Sequence, residues 1–267
     1  MKEFVKKIYG DIAKKKQKSC CGPTCCSADN SSVSEKVGYS KEELNNIPLE
    51  ANMGLGCGNP IALLSLKEGE VVVDLGAGGG IDAFLAAQRV GKSGKVIGID
   101  MTEDMVKKAR ENAKKGGFDN VEFKLGDIEA IPLEEGVADC IISNCVINLA
   151  EDKQKVFNES FRILKDGGRL MVSDMVLVAD LPQNVKESAQ MYSGCIAGAL
   201  QKDDYIEKIN KAGFSQVNIV KEDAVQVSDY IGSDKVISDI AKDMSEEEIK
   251  NIDKAVVSIK ISAKKVK

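Results

Sequence analysis

The chain has 267 residues, 43% of them hydrophobic, and no histidine. That is enough apolar content to bury a full core in one large domain, so wholesale disorder is excluded. The absence of histidine excludes serine-histidine and cysteine-histidine hydrolase constellations, and a net charge of -5 offers no basic face for a nucleic-acid backbone.

The N-terminal "MKEFVKKIYGDIAKKKQK" carries a charge every two or three residues and so lacks the apolar core of a signal peptide. Residues 1 to 19 are expected to form a short amphipathic helix, with Phe4, Ile8 and Ile12 on one face. The next stretch, "SCCGPTCCSADNSS", holds Cys20, Cys21, Cys25 and Cys26 among loop-forming residues. We treat 1–40 as an N-terminal helix and Cys-rich segment, and 41–267 as the main domain. Ser40 and Glu43 have the spacing of a capping box, which starts a helix at Lys41.

From Val71 the pattern becomes regular. Apolar strand-like runs at 71–75, 96–99, 121–125, 140–147 and 170–178 alternate with helix-like segments at 81–90, 103–115 and 153–164. This alternation builds an α/β fold with a mostly parallel, doubly wound sheet. A segment at about 179–201, carrying Cys195, breaks the rhythm and is expected to be an insertion at the ligand-binding edge. Two more strands are expected at 216–220 and 256–266. No run of about 18 apolar residues suggests a membrane span, and the chain is expected to be soluble and cytoplasmic. A monomer is the default, with no nucleic-acid or membrane partner.

The first strand ends in "VVVDLGAGGGID", a turn in which Gly76, Gly78, Gly79 and Gly80 let the backbone approach a ligand. Asp100 closes the next strand, 20 residues after Gly80, where a carboxylate can meet ribose hydroxyls. Architecture of this kind binds a nucleoside cofactor. The third glycine of a dinucleotide fingerprint is replaced by Ile81, and Asp74 before the turn suits an ammonium better than a pyrophosphate. "DLGAGGG" with the downstream "GIDM" resembles the first motif and second-strand acid of class I S-adenosylmethionine-dependent methyltransferases, which implies a Rossmann-like fold. That resemblance implies that Met101 stacks on adenine and that Asp127 and Ile128 of "GDIEAIP" meet the adenine edge. The fourth strand ends in "SNCV", where amino-methylating nucleic-acid enzymes of this fold commonly carry a [DNS]-P-P-[YF] motif.

The eight cysteines point to catalysis, redox cycling or binding of a soft element in a reducing compartment. "GLGCGNP", "DMTEDMV", "EFKLGDIEAIPL", "SNCVINLAEDKQKVF" and "GCIAGAL" are similar to segments of the arsenite S-adenosylmethionine methyltransferases. The resemblance implies that trivalent arsenic is held by Cys145 and Cys195, that Cys57 takes part in arsenic transfer and disulfide formation, and that Asn144 helps to fix the donor. It implies S-adenosylmethionine as cofactor, As(III) as substrate, and a thiol reductant of thioredoxin or glutathione type. Cys20, Cys21, Cys25 and Cys26 are candidate accessory thiols, and "IYGDI" makes Tyr9 a candidate donor contact. Cys140 reads as a buried core residue. Two other readings are a methyltransferase acting on a small ring metabolite such as a quinone, and a thiol protein that sequesters or senses metalloids.

Overall fold

The structure, a computed structural model, describes residues 1–14, 34–35, 38–56, 58–59, 66–181, 183–186, 196–226, 242 and 244–266. Helix α1 spans Lys2–Lys14 and α2 Lys41–Asn45, the latter started by the full Ser40–Glu43 capping box. Strand β1 (Val71–Leu75) leads through the glycine turn into α3 (Ile81–Val90). Then follow β2 (Lys95–Asp100), α4 (Glu103–Gly116), β3 (Val121–Leu125), β4 (Ala138–Asn144) and α5 (Lys153–Ile163). Strand β5 runs Leu164–Leu177 and is followed by the short α6 (Gln183–Lys186), α7 (Lys202–Lys211), β6 (Ser215–Ala224), α8 (Glu246–Ala255) and β7 (Val256–Lys264).

The seven strands form one sheet in the order β3-β2-β1-β4-β5-β7-β6. β1 to β5 pair in parallel, while β7 runs antiparallel to both β5 and β6. The order reverses between β1 and its neighbours β2 and β4, and at that switch point the carboxyl ends of adjacent strands diverge to leave a ligand crevice. Apolar side chains fill both faces. One cluster includes Phe157, Ile141, Tyr205 and Ile259, and the other Phe84, Ile142, Val96 and Phe123. Phe84 stacks against Phe118 and Phe123 with ring centroids 4.6 and 5.7 Å apart, fixing α3 on the sheet.

The expected doubly wound sheet is present, with differences in detail that include a longer sixth strand, Ser215–Ala224 rather than 216–220. The fourth strand stops at Asn144 rather than 147, because Cys145 takes a left-handed backbone (φ 59°) and the chain turns into a 3-10 segment at Ile147–Leu149. The fifth strand begins at Leu164 rather than 170: its Asp-Gly-Gly stretch, which reads as a loop signal, is absorbed at a register shift opposite Ala138 and Cys140. Helices α6, α7 and α8 are additional to the expected elements. Leu177, at the end of β5, forms an isolated parallel bridge with Gln201.

Candidate active site

The glycine turn is built by backbone geometry that side chains would prevent. Gly76 and Gly80 have φ of 69° and 98°, and a Cβ on Gly80 would fall 2.7 Å from Phe84 and 2.9 Å from Phe123. Gly80 therefore serves as the left-handed N-cap of α3 and is not among the cavity-lining residues, whereas Gly76, Gly78 and Gly79 are. Asp100 holds the turn from the next strand, accepting from Gly78 N (3.0 Å) and from Thr102 N (2.8 Å).

The cavity at this turn encloses about 1040 Å³ including its mouth, ample for a nucleoside-sized ligand. Tyr9, Asp74, Gly76, Gly78, Asp100, Met101, Asp127, Ile128, Asn144 and Cys145 all line it, so residues far apart in the chain converge on one cavity. Cys20, Cys21, Cys25, Cys26, Cys57 and Cys195 lie outside the described residues. Among the described residues no group of three or more His, Cys, Asp or Glu side chains is placed to hold a metal ion, and no helix is long and apolar enough to cross a membrane.

The electrostatics of the cavity are acidic and buried. Asp74 is 2% exposed, and its Oδ2 has no hydrogen-bond partner among the described residues. Burial, with Asp82 and Asp100 nearby, pushes its carboxyl well above the usual range. A positively charged group entering the cavity would relieve that cost, which is the fit expected for the ammonium of an amino-acid moiety. Burial also raises Asp100, against the opposing effect of its backbone donors.

Three residues not anticipated as a unit complete this wall. Tyr39 donates to Asp82 Oδ1 at 2.7 Å, and Asn144 Nδ2 donates to Asp82 Oδ2 (3.0 Å), Tyr39 Oη (2.9 Å) and Gly58 O (2.6 Å). Asn144 thus anchors the wall by its amide nitrogen, tying β4 to α3 and to the segment before β1. Burial pushes Asp82 up to about 6, moderated by the Asn144 and Tyr39 bonds. The signal for Asp82 was an acid in the first turn of the helix that follows the glycine loop.

An amide and a thiol, Asn144 and Cys145, stand side by side where β4 ends. In a continued strand Asn144 and Cys145 would point to opposite faces. The left-handed backbone at Cys145 breaks the alternation, and both residues line the same cavity. Cys145 N donates to Ser173 O (2.9 Å), and its side chain packs with Val5 and Leu149, flanked by Tyr9, Met101 and Met175. The thiol is disulfide-bonded, with its partner outside the described residues. Cys140, on the same strand, is buried and free, and burial pushes its thiol to about 12.

Helix α1 contributes Lys2, Val5 and Tyr9 to the cavity wall. Lys2 pairs with Asp127 and with Glu129 (3.1 Å), and Lys14 with Asp104 (3.0 Å). Burial works against the charge on Asp127, but the Lys2 ammonium and the Glu129 N–H hold its carboxyl below the ordinary value.

Residues 66–213 match the family described as "Methyltransferase domain". An arsenite methyltransferase of Halobacterium salinarum is 43% identical over 232 residues, covering 83% of this chain and 59% of that protein. One from Aquipseudomonas alcaligenes is 33% identical over 244 residues, covering 88% and 68%. The crystal structure of an arsenic(III) S-adenosylmethionine methyltransferase from Chlamydomonas reinhardtii superposes with a TM-score of 0.64 at 32% identity, covering 88% of this chain and 74% of that one. The chain therefore spans about three fifths of its Halobacterium relative's length.

Proposed function

The chain belongs to the arsenite methyltransferases within this methyltransferase-domain family, and from that premise we propose that it transfers methyl groups from S-adenosylmethionine to trivalent arsenic held by cysteine thiolates, as a detoxifying reaction. The observation that carries the proposal is the left-handed turn that brings Cys145 into the nucleoside-type cavity beside Asn144.

S-adenosylmethionine, when bound, supplies a methyl group on a sulfonium. Asp74 is the acid suited to its ammonium, Asp100 to the ribose hydroxyls, Met101 to the face of adenine, and Asp127 and Ile128 to its edge. Tyr9, on α1, is a further donor contact, and Gly76, Gly78 and Gly79 leave room for close backbone approach. Gly80 contributes indirectly by starting α3. Asn144 supports donor binding through Asp82 and the β4 end, rather than by a free amide nitrogen.

For the acceptor, arsenic is soft and prefers thiolate sulfur. Cys145 and Cys195 are its ligands in this reading, with Cys57 as the transfer and disulfide thiol and Cys20, Cys21, Cys25 and Cys26 as accessory thiols. The arsenic lone pair forms the new carbon–arsenic bond as the methyl–sulfur bond breaks, so arsenic passes from the trivalent to the pentavalent level. Two thiols closing a disulfide return two electrons and release two protons, and the disulfide state of Cys145 is consistent with such cycling. A thioredoxin- or glutathione-type reductant then restores the thiols. No general base is required, so the protein's contribution is alignment, which can be worth about 7 to 11 kcal/mol. We place the protein in the cytoplasm and treat it as a monomer.

The test is a methyl-transfer assay with purified protein, S-adenosylmethionine and a thiol reductant, with and without arsenite. Methylated arsenic that requires both enzyme and donor is expected, and Cys145→Ser should abolish it. Measurable donor binding without any arsenic methylation would instead direct attention to a small organic acceptor. Asp100→Ala should weaken donor binding by about 1.5 to 3 kcal/mol, roughly ten- to a hundredfold in Kd, the range for hydrogen bonds to a charged group. Calorimetric titration with S-adenosylmethionine or its demethylated product measures this, and unchanged affinity would remove Asp100 from the site.

A further inference from the structure

Behind the Cys145 turn, on the side of β5 away from the cavity, lies a carboxylate that the reaction above does not use. Asp174 is fully buried in the core, with the buried Lys153 ammonium near enough to favour its charge. Its Oδ1 accepts from Asn148 Nδ2 (2.8 Å) and from Met175 N (3.0 Å), and its Oδ2 accepts from Tyr205 Oη (3.0 Å). Asn148 belongs to the 3-10 segment that begins two residues after Cys145, and its Nδ2 also donates to Met175 O at 2.7 Å. The turn is therefore tied to β5 twice: before its bend by Cys145 N on Ser173 O, and after it by Asn148 on Asp174 and Met175.

A left-handed backbone at a non-glycine residue is strained and persists only where its surroundings over-determine it. A carboxylate in an apolar core is also costly, and an apolar side chain at the same strand position would avoid that desolvation. Both costs meet at one turn. We infer that Asp174, acting through Asn148, is a positioning residue that holds the Cys145 turn in its left-handed form and so aims the thiol at the donor cavity. This rests on the proposed arsenic chemistry only for its consequence in catalysis, because the brace itself can be read from the thiol.

The experiment compares the full-length wild type with Asn148→Ala, Asp174→Val and Asp174→Asn. Each reduced protein is pulsed with iodoacetamide at fixed pH, alkylation of each cysteine is followed by mass mapping, and methyl transfer to arsenite and donor affinity are measured in parallel. In Asn148→Ala and Asp174→Val the alkylation rate of Cys145 should rise several-fold while that of Cys140 stays at the wild-type value. Methyl transfer should fall on the order of tenfold to a hundredfold, as expected when a reacting group is misplaced by about 1 Å. Donor affinity should change less than twofold. Asp174→Asn keeps an acceptor for Asn148 and should recover both Cys145 protection and turnover.

An unchanged Cys145 rate overturns the inference. So does a parallel rise at Cys140, which marks general opening of the core rather than release of one turn. Should Asp174→Val fail to fold, Asn148→Ala leaves the Asp174 contacts to Met175 and Tyr205 in place and carries the same test. If the wild type itself methylates no arsenic, the acceptor assignment fails, while the alkylation rates still decide whether the brace exists.

Discussion

At the residue scale, two thiols on one strand illustrate how backbone and burial separate chemistry from packing. Cys140 lies inside the sheet, and burial keeps its proton on to about pH 12. Cys145, five residues on, leaves the strand for the cavity. Cys140→Ala should therefore retain methyl transfer, at a stability cost of about 1 kcal/mol for the small void it leaves. Activity measured well below the melting temperature checks this, and loss of turnover in a folded variant would give Cys140 a role that packing does not explain. The difference between the two thiols was partly legible beforehand, since "SNCV" follows an apolar run and Cys140 interrupts none. The left-handed φ of Cys145 was not. It follows from contacts with Ser173 and from the Asn148–Asp174 bond across 26 positions, which no local spacing announces.

At the scale of elements, the glycine turn and the Cys145 turn are not independent. A Cβ on Gly76 would overlap Val146, the residue after Cys145, and Gly76 is already in the left-handed region. Gly76→Ala should cost stability on the order of 1 to 3 kcal/mol and lower turnover as well as donor affinity, because relieving the overlap moves Val146. Thermal melts together with donor titration and turnover measure these separately, and a fall in donor affinity alone would show that the two turns do not communicate. Strands β1 and β3 and helix α3 have the limits that periodicity and glycine punctuation suggest, and the Ser40–Glu43 box starts α2 as expected. What escaped the sequence was long-range. Tyr39, Asp82 and Asn144 come together over separations of 43, 62 and 105 positions. Asp174 left only the weak trace of one acid in the apolar run "LMVSDMVLV".

At the scale of the whole molecule, the buried acids impose a direction on the pH dependence of folding. Burial pushes Asp174 to about 7 and Asp82 to about 6, whereas an unfolded chain ionises its aspartates near pH 3.9. Both therefore hold protons in the fold that the unfolded chain has lost. Their favourable contribution is complete below about pH 4 and is lost as the pH rises through 6 and 7. Acids held low by partners, such as Glu70 with Arg169 and Asp139 with Lys165, act in the opposite sense at more acid pH. In donor-free protein, Asp174→Asn should accordingly gain stability relative to wild type between pH 5 and pH 8. Denaturant melts at the two pH values check the sign, and a difference that shrinks toward pH 8 would contradict it.

Helix α1 lines the cavity at two places, with Lys2 on Asp127 and Val5 packed with Cys145. In the proposed reaction this one element meets both ligands, so ordering of α1 by either would favour binding of the other. Thermodynamic reciprocity then fixes the bookkeeping: the factor by which arsenite tightens donor binding must equal the factor by which the donor tightens arsenite. That single number, obtained from either titration, would measure how strongly the two sites of the proposed reaction are coupled.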